Sequence, residues 1–321
     1  MAAAGTQTVV KTQGLSKIFR VGFLGRPIAA LEGLDLEIQQ GEVFGFLGPN
    51  GAGKTTTLKI LMGLIYPTSG QAWILGGEIG DVGVKREVGF LPEAPYFYDY
   101  LTAQEFLRFY GQLFGLERRV LAKRIEELLQ RVGLSEAGHL QLRKFSKGML
   151  QRIGIAQALI NDPRLVILDE PMSGLDPIGR REIRDLILQL KQSGKTIFFS
   201  SHILHDAELL CDRVGILVKG RLVALGPVQE LVGAASTQSV EVVVQGLDAE
   251  GLAQLEPMAH KMLVQDDRTF LIVKDQAVAN EVLDVARKRH ATVISLSPQK
   301  GSLEDLFVRE VGGRHPEDLP R

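Results

Sequence analysis

The sequence predicts an α/β fold followed by a smaller unit that mixes strands and helices. Residues 165–168 and 196–199 are nearly continuous apolar runs, the pattern of strands buried on both faces of a parallel sheet. Residues 179–192 lie between these runs and have helical spacing. Beyond residue 239 the patterns change to shorter strands and helices in a different order. The chain is therefore expected to contain two units.

Composition indicates an ordinary globular protein. The chain has 321 residues, of which 45% are apolar and 23% are charged, and its formal net charge is −1. This charge gives no reason to expect a nucleic-acid partner. The apolar runs are too short to span a bilayer, and the first seven residues lack the features of a signal peptide. One cysteine, Cys211, excludes an internal disulfide and fits a reducing compartment.

The first part of the chain alternates strand and helix patterns. Strand patterns occupy residues 8–12, 30–38, 42–47, 71–75 and 87–91. Helical spacing covers residues 56–62, 102–132 and 149–160, and we expect a helical subdomain at about 94–160. The alternation predicts an α/β core.

The last part of the chain predicts a second domain at residues 239–311. Residues 233–238 are small and polar and are interpreted as a linker. Strand, helix, strand, strand, helix and strand patterns follow, which is the βαββαβ order of a small ferredoxin-like α+β domain. A short helix is expected at 303–311, and residues 312–321 form a polar tail.

A glycine-rich loop lies between the strand at 42–47 and the helix at 56–62. Its residues fit the pattern G-x-x-x-x-G-K-[ST], and they are Gly48, Pro49, Asn50, Gly51, Ala52, Gly53, Lys54 and Thr55, followed by Thr56. Glycine lets the backbone N–H groups approach an anion, and the helix N-terminus favours negative charge. Lys54 would reach the β- and γ-phosphates of a nucleotide, and the Thr55 hydroxyl would ligate Mg²⁺.

Two acids end the buried strand at 165–168. Asp169 is expected to hold Mg²⁺, directly or through water, and Glu170 is placed to act as general base on an attacking water. Both would lie beside the glycine-rich loop, because parallel strands deliver their carboxyl ends to one edge of a sheet. The sequence therefore predicts nucleoside triphosphate hydrolysis.

Further motifs follow in a fixed order, and with them residues 7–230 resemble the nucleotide-binding subunit of an ATP-binding cassette (ABC) transporter. The motifs are residues 89–93 (GFLPE), 145–152 (FSKGMLQR), 173–176 (SGLD) and 200–203 (SSHI). The resemblance implies a P-loop NTPase (RecA-like) core with an antiparallel β subdomain and a helical subdomain. It assigns residues 7–232 to the ATP-binding domain.

The resemblance also implies that two chains share each ATP. Ser146, Lys147 and Gly148 would face the γ-phosphate of an ATP held by the opposite subunit. Asp176 would link the two active sites, and His202 would contact the γ-phosphate and hold the geometry of the attacking water. The implied assembly is a homodimer or a pair of cassette subunits.

An aromatic ring usually stacks on adenine in this family. Phe19 is the better match, and Phe23 is the alternative. Three residues depart from the usual motifs: Glu93 stands where glutamine is usual, Lys147 where glycine is commonest and Met149 where glutamine is commonest. The Glu93 carboxylate can still ligate Mg²⁺ together with Thr55 and Asp169. These variants and the C-terminal extension resemble a bacterial subfamily that exports drugs, polysaccharides, ions or lipids.

The resemblance implies an ATP-hydrolysing subunit that dimerises on ATP and drives a separate membrane permease, in export. The chain would lie in the cytoplasm on the inner face of the membrane, and residues 94–143 would receive the permease. The alternative is a soluble ABC-type ATPase that is not coupled to transport, although such proteins usually carry two cassettes or a long coiled coil. A P-loop kinase or GTPase fits less well, because the sequence has no Asn-Lys-x-Asp motif for reading guanine.

Overall fold

The computed structural model describes residues 7–22, 25–235, 239–298 and 301–312. Phe23, part of the expected linker (236–238) and the expected tail beyond residue 312 lie outside the described residues. The chain divides into two compact units, the first ending at Pro227 and the second beginning at Val228. In the described residues, no helix combines the length and the apolar character that a membrane crossing needs.

The first unit contains ten strands and seven α-helices in its described residues. In chain order they are β1 (Thr8–Val21), β2 (Arg26–Gln39), β3 (Val43–Leu47), α1 (Lys54–Leu61), β4 (Ser69–Ile74), β5 (Gly77–Glu78), α2 (Val82–Lys85), β6 (Val88–Leu91), α3 (Ala103–Leu113), α4 (Arg118–Arg131), α5 (Lys147–Ala158), β7 (Leu165–Asp169), α6 (Pro177–Gln192), β8 (Thr196–Ser201), α7 (Leu204–Leu210), β9 (Arg213–Val218) and β10 (Arg221–Pro227). A 3₁₀ turn, Leu142–Lys144, precedes α5.

A six-stranded sheet in the order β10-β9-β3-β8-β7-β6 forms the centre of this unit. Its strands are parallel except for β10, which pairs antiparallel with β9 at the edge. Every residue of β3, β7 and β8 is buried, which confirms the interpretation of the apolar runs. The segments that follow β3, β7 and β8 therefore leave the sheet at one edge.

A second sheet, in the order β2-β1-β4-β5, is antiparallel. Its buried side chains, such as Leu15, Leu31 and Leu34, belong to the same apolar cluster as Leu58 and Ile60 of α1. Burial of this shared face stabilises both layers. The α/β core and the antiparallel β subdomain are thus as expected.

The helical pattern over residues 102–132 forms two helices rather than one. Thr102 begins α3 with a capping box, in which its hydroxyl accepts the Glu105 N–H and the Glu105 carboxylate accepts the Thr102 N–H. The chain reverses at Gly115, whose φ of 75° lies in the left-handed region. The predicted helical spacing is present on both sides of this turn, in α3 and in α4.

The second unit consists of α8 (Val228–Ala235), β11 (Val240–Gln245), α9 (Ala249–Leu255), β12 (Ala259–Gln265), β13 (Arg268–Val273), α10 (Gln276–Lys288), β14 (Thr292–Pro298) and α11 (Leu303–Gly312). Its strands form an antiparallel sheet in the order β12-β13-β11-β14. This confirms the expected βαββαβ arrangement. Residues 233–235, which were interpreted as linker, belong to α8. The second unit begins at Val228, whereas the sequence placed the end of the ATP-binding domain at residue 232.

Candidate active site

The loop between β3 and α1 depends on glycine at two positions. Gly48 has a φ of 151°, and a Cβ there would lie 2.2 Å from the carbonyl oxygen of Leu217. Gly53 has a φ of 110°, and a Cβ there would lie 2.3 Å from the carbonyl oxygen of Ala30. Since both neighbours are backbone atoms, they cannot move aside like a flexible side chain. The loop is therefore held in a fixed conformation and continues directly into α1, whose N-terminus binds anions favourably.

Lys54, the first residue of α1, turns its ammonium back toward the loop. Nζ donates to the carbonyl oxygens of Gly48 at 2.7 Å and Pro49 at 3.2 Å. It also lies 3.2 Å from Oε1 of Glu170, and both side chains of this ion pair are only 6% exposed. The lysine of the loop and the acid that follows β7 are therefore in direct contact.

Asp169, the last residue of β7, accepts two hydrogen bonds on one oxygen. Thr55 Oγ1 donates to Oδ1 at 3.2 Å, and Ser200 Oγ donates to the same atom at 2.6 Å. Burial raises the pKa of Asp169, the hydrogen bonds from Ser200 and Thr55 oppose this rise, and the charge of Glu170 adds to it. A cation beside this carboxylate would offset the burial.

Glu170 is fixed at its backbone and at one carboxylate oxygen. Its φ of 50° is in the left-handed region, which is unusual for a residue other than glycine and is found at functional sites. Its N–H donates to Ser200 Oγ at 2.9 Å, and its Oε2 lies 2.8 Å from Nδ1 of His202. A carboxylate partner assigns the hydrogen of the neutral ring to Nδ1.

These groups border a cleft of about 210 Å³. It is lined by Ala30, Asn50, Gly51, Ala52, Gly53, Lys54, Thr55, Thr56, Glu93 and Glu170. The structure thus brings the glycine-rich loop, Glu93 and Glu170 together. Asp169 and His202 are not among the lining residues, but they contact Thr55 and Glu170 directly.

The other predicted residues are not part of this lining. Ser146 begins α5 and accepts the Met149 N–H at 3.3 Å, and Asp176 begins α6 and accepts the Gly179 N–H at 2.7 Å. The Lys147 side chain lies across Gly174, where an added Cβ would be 2.0 Å from Nζ. The segments around Ser146 and Asp176 therefore adjoin each other in one chain, outside the cleft.

Phe19 lies on β1, opposite Ile28 of β2, and is 37% exposed. The Lys17 ammonium lies 5.2 Å from the centre of its ring. Phe19 does not line the cleft, although Ala30 from the same pair of strands does. Its ring face is thus partly accessible in the antiparallel sheet.

A family profile described as "ABC transporter" matches residues 31–173. An ABC transporter ATP-binding protein of Synechocystis is 47% identical to this chain, over 95% of the chain and 85% of the relative. The chain belongs to the ABC transporter family. It is the ATP-binding subunit, and members of this family hydrolyse ATP.

Other relatives of the ABC subunit include proteins named for antibiotic transport. The bacitracin transport ATP-binding protein BcrA of Bacillus licheniformis is 36% identical, over 95% of this chain and 98% of the relative. Among solved structures, the dimer of an ATP-binding cassette with ADP and phosphate has a TM-score of 0.62 and 26% identity, and the match covers 68% of this chain and 98% of that one. The ABC cassette fold is thus established for the larger part of the chain.

Two residues of this ABC cassette site were not selected from the sequence. Ser200 joins Asp169 to the backbone of Glu170, and Ala30 supplies a backbone wall of the cleft. The signal for Ser200 was its position as a polar residue at the end of a buried strand, two residues before His202. No sequence signal identifies Ala30, because its contribution is a backbone position set by packing.

Proposed function

We propose that the chain hydrolyses ATP as one half of a two-cassette dimer, and that the dimer drives a separate membrane permease in export. One observation carries the catalytic part: segments that follow three neighbouring parallel strands meet in or beside one cleft. They contribute Lys54 after β3, Glu170 after β7 and His202 after β8. These are a phosphate-binding cation, a base and a group that orients the base.

In the proposed reaction, Glu170 takes the proton of the attacking water. The water oxygen bonds to the γ-phosphorus, and the bond from that phosphorus to the β–γ bridging oxygen breaks, leaving its electrons on ADP. His202 holds the second carboxylate oxygen of Glu170 through Nδ1, which orients the base. Lys54 and the N-terminus of α1 bind the phosphates and offset their charge.

The residues beside Asp169 suit Mg²⁺. The Thr55 hydroxyl, the Asp169 carboxylate and the Glu93 carboxylate supply hard oxygen ligands at or next to the cleft. Across the described parts of the chain, no group of three or more His, Cys, Asp or Glu side chains is arranged for a metal. This fits a cation held by one or two carboxylates together with substrate phosphates. When bound, Mg²⁺ would neutralise phosphate charge.

The dimer is supported by where the remaining predicted residues lie. Ser146, Lys147 and Gly148 at the start of α5 do not line the cleft of their own chain. In the proposed dimer they face the γ-phosphate of the ATP held by the partner, and Asp176 links the two sites. One relative was solved as a dimer of cassettes with ADP and phosphate.

Phe19 is proposed to stack on adenine.

We further propose that an aromatic groove receives a short cytoplasmic helix of the permease. The groove has a volume of about 440 Å³ and is lined by Tyr98, Tyr100, Leu101, Glu105, Arg108, Phe109 and Gln112. Tyr98 packs edge-on against Tyr100 and Phe109, and Tyr100 is 62% exposed. Aromatic side chains of this kind are enriched at protein interfaces. The subunit would then lie on the inner face of the membrane.

The reaction is tested with Glu170→Gln. This variant should bind ATP, form a stable dimer and lose turnover, because the amide cannot take a proton from water. Size-exclusion chromatography with light scattering would show the dimer, and phosphate release would show the turnover. Undiminished hydrolysis would remove Glu170 as the base, and strong competition by GTP would contradict an ATP site.

The permease contact is tested with Tyr100→Glu. The carboxylate should abolish copurification with the permease and leave ATP hydrolysis by the isolated subunit unchanged. Tyr66→Glu is the matched control, because Tyr66 is 85% exposed and lies between α1 and β4, away from the residues that line the groove. Equal copurification of both variants would exclude the groove, and a chain that copurifies with no membrane protein would favour the uncoupled ATPase.

A further inference from the structure

The buried ion pair between Lys54 and Glu170 joins two residues to which the proposed function gives separate tasks. Lys54 binds phosphate and Glu170 accepts a proton, yet their charged atoms lie 3.2 Å apart. We propose that Lys54 is also the positioning residue of Glu170: it occupies Oε1 until phosphate takes the ammonium, so nucleotide binding itself frees the base. This inference rests on the proposed function and adds a control step to it.

The partners of the ammonium explain why its two uses exclude each other. Nζ has three hydrogens, and it donates two of them to the carbonyl oxygens of Gly48 and Pro49. The remaining close partner among the described residues is Oε1 of Glu170. A buried ammonium requires a compensating charge. Phosphate oxygens meet that requirement in place of the carboxylate, so binding them releases Oε1.

The two oxygens of Glu170 are held in different ways. Oε2 contacts His202, and the backbone N–H is fixed by Ser200. Oε1 is buried and accepts no hydrogen bond from any described residue, so the Lys54 contact is an ion pair without hydrogen-bond geometry. Departure of Lys54 therefore leaves the carboxylate anchored at one oxygen and free at the other. The free oxygen is the one that can accept a proton from water.

The first test measures ADP binding to the full-length protein by titration calorimetry. ADP has no γ-phosphate and is not hydrolysed, so its affinity reports competition for Lys54 apart from turnover. Glu170→Gln should bind ADP at least about threefold more tightly than the original chain, the effect of removing one coupled contact. Glu170→Asp keeps the charge but withdraws it by one methylene, and it should also bind more tightly.

The two variants distinguish the direct contact with Lys54 from general charge repulsion as the cause of a change in ADP affinity. Tighter binding in both supports the proposal. Tighter binding in Glu170→Gln alone would show general charge repulsion and overturn it, and unchanged affinity in both would do the same. If ADP and ATP fail to bind the original chain, the proposed function itself fails. Whether Lys54 and Glu170 interact is then tested by the unfolding measurement described next.

The second test needs no nucleotide. Thermal unfolding midpoints are compared for the original chain, Lys54→Met, Glu170→Gln and the double variant. The shift caused by Glu170→Gln should differ by about 2 °C or more between the Lys54 and Lys54→Met backgrounds, since the residues interact directly. Additive shifts would overturn the pairing.

Discussion

The hydroxyl of Ser200 donates a 2.6 Å hydrogen bond to the buried carboxylate of Asp169. The hydroxyl oxygen of Ser200 also accepts the N–H of Glu170, the residue that follows β7. One side chain of β8 thus fixes the positions of both acids at the end of the neighbouring strand. Because Glu170 has a left-handed backbone conformation, this second hydrogen bond also stabilises an unfavourable geometry.

Ser200→Ala should lower ATP hydrolysis by about tenfold or more. The substitution leaves a buried N–H without an acceptor, which destabilises the fold by about 1–3 kcal/mol, and it lets both acids shift. Steady-state phosphate release and thermal unfolding would measure the two effects. Ser201→Ala is the control, because Ser201 Oγ accepts the N–H of Ile203 instead. Equal losses in both variants would contradict the role given to Ser200.

His202→Ala should reduce kcat by about 10²- to 10⁴-fold, the range for an impaired proton-transfer step, and change the KM for ATP little. The reason is that the 2.8 Å contact from Nδ1 orients Glu170, while Lys54 and the N-terminus of α1 are proposed to bind most of the phosphate charge. His205→Ala removes an exposed histidine from α7 and should retain full activity. A large rise in KM without loss of kcat would assign His202 to binding rather than to orientation of the base.

Asp169→Asn should raise the unfolding midpoint of the protein without nucleotide at pH 7, because it removes a charge whose burial is unfavourable. Burial raises the pKa of Asp169 above its ordinary value of 3.8, so between these two pKa values the folded chain keeps a proton that the unfolded chain has lost. Its contribution to stability therefore falls as pH rises from about 3.8 through the raised pKa. Thermal scans from pH 4 to 8 should show that Asp169→Asn lacks this pH-dependent loss of stability.

The same substitution should impair function although it raises stability. Asp169→Asn should weaken the Mg²⁺ dependence of ATP hydrolysis, because the charged ligand is lost. A variant that is less stable at pH 7 would show that the buried charge is favourable in the folded chain.

Gly53→Ala should abolish ATP binding or prevent folding. The added Cβ would lie 2.3 Å from the Ala30 carbonyl oxygen, and the left-handed φ of 110° adds strain. Gly51→Ala is the matched control, since its φ of 79° is also left-handed but no atom lies within 4 Å of the new Cβ. We expect Gly51→Ala to fold and to lose only about 1 kcal/mol of stability. Circular dichroism and ATP titration of both proteins would check this.

The strand and helix patterns predicted the core well, because burial on both faces leaves a clear apolar signal in β7 and β8. The turn at Gly115 was missed, since helical spacing alone does not distinguish one helix from two joined by a short reversal. The helical identity of residues 233–235 was missed as well, because small residues suit both a linker and a helix.

The sequence by itself determined which chemical groups this ABC subunit possesses and the order in which they occur. The loop from Gly48 to Thr55 is encoded locally, because its glycines and the following helix decide how the backbone turns. Tertiary structure alone decided that Lys54 contacts Glu170, that Ser200 joins the two acids and that Phe19 does not line the cleft. Those relationships depend on the pairing of strands far apart in the chain, which fixes distances that no local pattern encodes.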